Sequence, residues 1–263
     1  MGTSSSSKGP GAGVSFDPPW LNDIVIPNQG NNTTEAPVIE IAPKARFSNA
    51  RRSIGEYVRS GSSDCTRKAL GHYSKTGMGG AKNVARRMRI STKAASGFFN
   101  TFQSLRDDNS FFLRQELSEL KSHGADAYEI IDLIVKHVCP NGGSVDEILC
   151  RDSGTVALSE FLDCNPNADF CNLTDDQIWT LIVMFLGNAV YNRVQLDIGQ
   201  AFERQEVAYV ERVKRLNEMR DYIQSEIAAQ IDILRKSFNQ HVDMNKLFQD
   251  TIKNTFEVFE VAL

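Results

Sequence analysis

The groups in this 263-residue chain that could do acid–base, nucleophilic or metal chemistry are four histidines, five cysteines and a few paired carboxylates. His72, His123, His137 and His241 fall in separate segments, none with a base or ligand partner close in sequence, so no histidine-led general base is indicated. Cys65, Cys139, Cys150, Cys164 and Cys171 are odd in number and contain no C-x-x-C pair, which argues against a zinc site or a disulfide frame. His137 and Cys139 stand two apart on what reads as an apolar helix and are expected to pack in a core. Asp107-Asp108 and Asp175-Asp176 stand where helices are expected to begin, where carboxylates serve the macrodipole without a catalytic role. Gly77-Met-Gly79-Gly80-Ala-Lys82 lacks the G-x-x-x-x-G-K-[ST] frame that cradles phosphates, and neither G-x-S-x-G nor H-E-x-x-H occurs. The expectation is a protein that is not an enzyme, with no catalytic residue, no cofactor and no metal.

Charge is more informative. Between Lys44 and Lys93 thirteen Lys/Arg face only Glu56 and Asp64, a net +11, so the remaining residues carry −15 to give the chain its −4. Clustered cations displace counterions from a phosphate backbone, which makes Arg52, Arg59, Lys68, Lys75, Lys82, Arg86, Arg87 and Arg89 candidate contacts for an anion or nucleic acid. Tyr57 and Tyr73 would stack on bases in that reading, although both share a helix face with aliphatic residues, which suggests core. No helix-turn-helix, zinc-finger or RNP pattern accompanies them. The competing reading is a basic surface that faces an acidic partner, or the acidic remainder of the same chain.

The elements that must position these residues read as all-α. The basic block holds a repeat of period 16, Arg52-Ser-Ile-Gly-Glu-Tyr-Val-Arg-Ser-Gly61 and Lys68-Ala-Leu-Gly-His-Tyr-Ser-Lys-Thr-Gly77. It predicts two short helices with Ile54/Tyr57 and Leu70/Tyr73 inward, each closed by a left-handed glycine at Gly61 and Gly77. A third helix carries Ala81, Val84, Ala85 and Met88 on one stripe with Lys82, Arg86 and Arg89 outward. Ser91 or Thr92 then caps a stripe of Ala95, Phe98, Phe99, Phe102 and Leu105. Leu113, Leu117 and Leu120 lead to Gly124, and Ile130, Ile131, Ile134, Val135 and Val138 lead to the stop at Pro140. Ser144 with Glu147 and Thr174 with Gln177 form capping boxes, the second opening the most apolar helix. From Glu203 to Phe238 apolar residues recur about every 3.4 positions, a coiled-coil-like seam that predicts one long helix packed antiparallel on its neighbours, with a homodimeric coiled coil as the alternative. The tail Phe256 to Val261 reads as a short strand or as the end of a helix.

The fold expected is an irregular helical bundle with a long coiled-coil-like C-terminal helix, preceded by a disordered N-terminal tail. Residues 1–43 form a flexible Ser/Gly/Pro-rich tail with a Pro-Pro-Trp docking motif, 44–106 a basic Gly/Tyr/Arg repeat region, and 107–263 an acidic bundle with its long helix about 203–238. The longest apolar run, Ile178 to Gly187, is too short for a membrane span. The Ser/Gly-rich start has no apolar core for a secretory signal, so a cytoplasmic location is expected. In the tail, Phe16-Asp17-Pro18-Pro19-Trp20-Leu21 surrounds a stiff Pro-Pro pair with large apolar groups, which suits either a partner's groove or the protein's own core. Met1-Gly2 presents a small second residue, so loss of the initiator methionine would leave a glycine amine. Gly2, Ser6 and Lys8 also fit the N-myristoylation pattern formally.

Met1-Gly2-Thr3-Ser4-Ser5-Ser6, Gly9-Pro10, Pro18-Pro19-Trp20-Leu21, the twin repeat and Ala85-Arg86-Arg87-Met88 resemble the QatB family of bacterial Qat anti-phage systems. The resemblance implies a non-enzymatic member of a four-component defence system. Its companions there are a P-loop ATPase (QatA), a QueC-like protein (QatC) and a TatD-like nuclease (QatD). It further implies a direct complex with the QueC-like partner, whose chemistry joins an ATP-activated deazapurine carboxylate to an amine. Gly2 would be the acceptor, with Thr3, Ser4, Pro18, Pro19, Trp20 and Leu21 binding the partner.

Overall fold

The computed structural model describes residues 42–107, 109–237, 243–261 and 263. Gly2, Thr3, Ser4, Pro18, Pro19, Trp20, Leu21 and Phe238 lie outside the described residues. Eleven α-helices and one π-helical turn make up the described chain, with no β-strand among these residues. In order they are α1 Ser48–Ser60, α2 Ser63–His72, the π-turn Tyr73–Met78, α3 Ala81–Arg87, α4 Arg89–Arg106 and α5 Phe111–Ser122. There follow α6 Ala127–Val138, α7 Val145–Cys164, α8 Asp175–Ile198, the short α9 Gln200–Glu203, α10 Tyr209–Ser237 and α11 Met244–Glu260. The architecture is the irregular all-α bundle that the periodicity predicts.

One continuous core runs through it. α8 is the central rod, packed by α4, α7 and α10, and its Ile178, Leu181, Ile182, Phe185, Leu186 and Val190 are all sealed from solvent. The predicted stripe of α4 is buried throughout, with Phe98 against Phe185 at 5.0 Å and beside Phe102 at 6.3 Å. Each such aromatic, fully removed from water, contributes on the order of 2–3 kcal/mol. α4 approaches α7 closely because Gly154 has no side chain: a Cβ there would sit 3.1 Å from the Phe98 ring. α11 closes the bundle over α2, α3, α4 and α10, so Phe256 to Val261 finish a helix rather than form a strand.

Both predicted capping boxes are present, with Ser144 and Thr174 accepting from the N–H groups of Glu147 and Gln177 and the reciprocal bonds also made. A third, Asp126 with Glu129, starts α6.

Other expectations need correction. The first repeat ends as expected, Gly61 taking φ 71. The second does not: its helix continues as the π-turn, whose extra residue per turn carries the left-handed position on to Gly79, φ 78. Gly77 serves instead as a slot for the Phe47 ring, 2.5 Å from where its Cβ would be. Ser91 and Thr92 lie buried inside α4, not before it, and the Thr92 hydroxyl donates back to the Arg89 carbonyl at 3.1 Å. The bent link before α4 is the buried Met88, an apolar residue that no capping rule would select.

Asp107 closes the end of α4 rather than opening a helix, and it pairs there with Arg106. His137 is exposed because it lies off the Ile131/Ile134/Val135 stripe, while Cys139 two residues on is buried. The long helix begins at Tyr209, not 203. In the break, the Gln205 amide donates to the Ala201 carbonyl and accepts from Arg59 of α1. α10 buries Met219, Ile223, Ile227 and Ile231 against the bundle, whereas Val210 stays outside the seam, 78% exposed.

Candidate functional site

The two repeats perform one structural task twice. In each, the tyrosine ring is buried against aromatic side chains, Phe202 for Tyr57 and Phe47 and Phe256 for Tyr73, and its hydroxyl reaches a carboxylate already held by an arginine on a distant helix. From the first repeat, Tyr57 on α1 donates to the Arg215 carbonyl of α10 at 2.9 Å and lies 3.3 Å from Glu218 Oε2. Glu218 also takes a 2.8 Å bond from Arg215 Nη1. From the second, Tyr73 at the start of the π-turn donates to Asp197 Oδ2 of α8 at 2.9 Å, and Arg193 Nε and Nη2 grip the same carboxylate at 3.1 and 3.2 Å.

The second network goes deeper. Arg193 Nη1 also bonds Asp146 Oδ1 at 2.6 Å, and Asp146 Oδ2 faces Arg87 Nη2 at 3.4 Å. The side chains of these four ions are 9–15% exposed. Arg51 of α1 adds a 3.0 Å bond to the Asp197 carbonyl. Thus α1, the π-turn, α3, the start of α7 and the end of α8 are pinned at one point.

The electrostatics follow from burial and partner. Burial pushes the Tyr73 hydroxyl well above its usual range, and the Asp197 charge adds to it. For Tyr57 burial again leads, and its pKa is pushed up to about 12. Burial works against the Arg193 charge, but Asp197, Tyr73 and Asp146 outweigh it and hold the guanidinium more firmly protonated than usual. The hydrogen bonds of these networks end on carboxylates or carbonyls, while Arg215 Nε is buried without a hydrogen-bond partner. Bonds between distant helices of this kind fix helix positions, since each ion keeps an opposite charge beside it.

The predicted basic residues separate into two groups. Arg87 faces inward to Asp146, which realises the reading of a basic segment turned toward the acidic remainder of its own chain. Arg89 is half-buried. Arg52, Arg59, Lys68, Lys75, Lys82 and Arg86 are exposed on α1, α2, the π-turn and α3. Lys68 and Lys75 flank His72, where burial first and then these two charges lower the imidazole pKa.

Matching residues 79–259 is a family model described as QatB, Qat anti-phage system associated protein QatB. The chain belongs to the QatB family. No curated protein and no solved structure matches it. Membership ties the chain to an anti-phage Qat system. The QatB match begins at the Gly79 cap and ends at Phe259 of α11, so it contains Arg87, Asp146, Arg193, Asp197, Arg215 and Glu218, while the two tyrosine repeats precede it.

The acceptors were missed at the level of sequence. Arg193/Asp197 and Arg215/Glu218 are visible there only as i,i+4 and i,i+3 pairs, which most helices display on solvent faces. Nothing local connects them to tyrosines more than a hundred residues earlier.

Elsewhere, Cys139 and Cys150 are buried with their sulfurs 3.7 Å apart between α6 and α7. Their hydrogen bond and then burial raise the Cys150 pKa strongly, a setting of unreactive thiols. A shallow groove between α7 and α8 is lined by Leu149, Asp152, Val156, Asn192, Gln195 and Leu196. Among the described residues no group of three or more His, Cys, Asp or Glu converges as metal ligands, and no helix is long and apolar enough to cross a membrane.

Proposed function

We propose that this QatB-family chain is a non-catalytic interaction subunit that forms a complex with the QueC-like partner, QatC, and offers Gly2 to it as an acceptor. The observation that carries the reading is membership in a family defined by its association with a multi-component anti-phage system. The residues that support the rest are Met1-Gly2, which would leave a glycine amine once the methionine is removed, Thr3 and Ser4, which would continue a small-residue leader, and Pro18, Pro19, Trp20 and Leu21, which would give a stiff apolar anchor. The partner would use ATP to activate a deazapurine carboxylate as an acyl-adenylate with loss of pyrophosphate. Attack by the neutral Gly2 amine would form an amide and release AMP and a proton. QatA and QatD are further candidate partners within the system.

Intact-mass measurement of the chain co-expressed with its system tests this. The expected result is a demethionylated chain carrying the acyl adduct at Gly2, lost when residues 2–21 are deleted although the helical body retains its circular dichroism. A demethionylated, unmodified mass overturns the acceptor role.

Exposure of Arg52, Lys68, Lys75, Lys82 and Arg86 favours a second reading, a nucleic-acid-binding subunit. Charge reversal at Lys68, Lys75 and Lys82 should then abolish salt-sensitive binding to DNA or RNA. Arg87 is unsuited to this test, because reversing it breaks the pair with Asp146.

A further inference from the structure

We propose that Cys139 and Cys150 are an oxidation-sensitive latch, a buried dithiol that closes to a disulfide and locks the link between α6 and α7. Their sulfurs lie 3.7 Å apart, and the Cys139 thiol also donates to the Cys150 carbonyl at 3.9 Å. Cys139 directly follows Val138, the last residue of α6, and Cys150 stands in the second turn of α7, so the pair spans the whole link. Taken singly these are inert core thiols, 4% and 0% exposed. Taken together, they need to approach by only roughly 1.7 Å to reach bonding distance.

The link is already folded to hold them together. Arg151, next to Cys150, donates from Nη1 to the Pro140 and Gly142 carbonyls at 2.7 and 2.9 Å, which draws the end of α6 onto α7. Ser144 and Glu147 close their capping box between the two cysteines. Within the same span lies Asp146, whose carboxylate takes a 2.6 Å bond from Arg193 and faces Arg87. A covalent bond from Cys139 to Cys150 therefore restrains the segment that carries one carboxylate of the buried ion network, and with it the joint between α3, α7 and α8. Such a cross-link acts chiefly by removing freedom from the opened chain.

An oxidant that reaches the pair must be little larger than water, and hydrogen peroxide meets that requirement. Cys139, beside the exposed Pro140, reacts first: its sulfur attacks one peroxide oxygen, the O–O bond breaks, and a sulfenic acid and water result. The Cys150 sulfur then attacks the sulfenic sulfur. The S–S bond forms, the Cys150 proton goes to the departing hydroxide, and a second water leaves. The two thiols give up two electrons and two protons, and peroxide takes them up. Because the second thiol is held against the first, closure outruns attack by a free thiol from solution. In a reducing compartment the dithiol is the resting state, and the latch reopens once the oxidant is gone.

Peroxide treatment of the reduced full chain tests the latch. Tryptic cleavage after Lys136 and Arg151 releases one peptide, residues 137–151, that contains both cysteines and no other. That peptide should lose the mass of two hydrogens and resist alkylation until dithiothreitol restores it. The oxidised chain should melt several degrees above the reduced one, and Cys139→Ala treated alike should show neither change. The main comparison is one protein before and after oxidation, so a variant that folds poorly does not obscure it. Two free thiols after treatment, oxygen adducts in place of the two-hydrogen loss, an unchanged or lower melting temperature, or the same rise in Cys139→Ala overturns the latch. No partner enters these measurements, so failure of the acceptor role of Gly2 leaves them intact.

Discussion

Tyr73 donates its hydroxyl hydrogen to Asp197, 124 positions later in the chain, with the phenol fully buried and the carboxylate clasped by Arg193. A hydrogen bond to a buried, charged acceptor is among the stronger neutral-to-ion contacts. Tyr73→Phe should therefore lower unfolding free energy by about 1.5–3 kcal/mol, and Tyr57→Phe, whose partners are nearer solvent, by about 1 kcal/mol. Urea denaturation of the two variants checks the order as well as the sizes.

Alkali should find the same pair. Both phenols have raised pKa values in the fold, so the fold favours their neutral form and their contribution is complete below the ordinary tyrosine value of about 10. As pH climbs from there toward 12, the unfolded state loses protons that Tyr57 keeps, and stability drops. Absorbance at 295 nm should show three late-titrating tyrosines, since burial raises Tyr191 as well, and their ionisation should accompany loss of helical signal. Tyr57→Phe/Tyr73→Phe should leave only the Tyr191 share of this phase.

Removing Arg193 leaves Asp146 without its closest cation and Asp197 with only hydrogen-bond donors, both largely buried. Arg193→Met should cost about 3–5 kcal/mol, the range for breaking a buried pair on one side. Arg106→Met, which deletes an exposed pair with Asp175, should cost less than about 1 kcal/mol. Thermal melts of the two variants side by side distinguish these cases.

Glycine positions predict opposite outcomes. A Cβ at Gly71 would meet the Phe259 carbonyl oxygen at 2.5 Å, so Gly71→Ala must push α11 off α2 and should destabilise by about 2 kcal/mol or more. At Ala45 the backbone already takes a left-handed φ of 51, and Ala45→Gly should stabilise by up to about 1 kcal/mol. Calorimetry of the two variants would measure both signs.

Side chains with strong local rules could be read from the sequence. Ser144 and Thr174 announce their helices because the capping box is satisfied within four residues, and the α4 stripe is visible because Phe98, Phe102 and Leu105 repeat at helical spacing. Gly61 is readable for the same reason, while Gly77 is not, since a π-turn carries the left-handed position on to Gly79 and the Phe47 ring, from outside the repeat, fills the space beside Gly77. The start of α10 carries neither Gly nor Pro, and the Gln205–Arg59 bond just before it joins residues 146 positions apart. Likewise, the basic block shows its charge in sequence but not its division: Arg87 differs from Arg86 only in the direction its helix turns it, toward Asp146.

The position of α11 has a consequence for synthesis. Leu70 and Tyr73 are sealed only once Phe256 and Phe259 lie over them. While the ribosome is still translating, the first third of the polypeptide must wait with its apolar side open, and a message truncated before residue 244 yields a chain that cannot hide it. Such products are natural prey for chaperones and proteases, so only fully translated copies would persist to meet a phage.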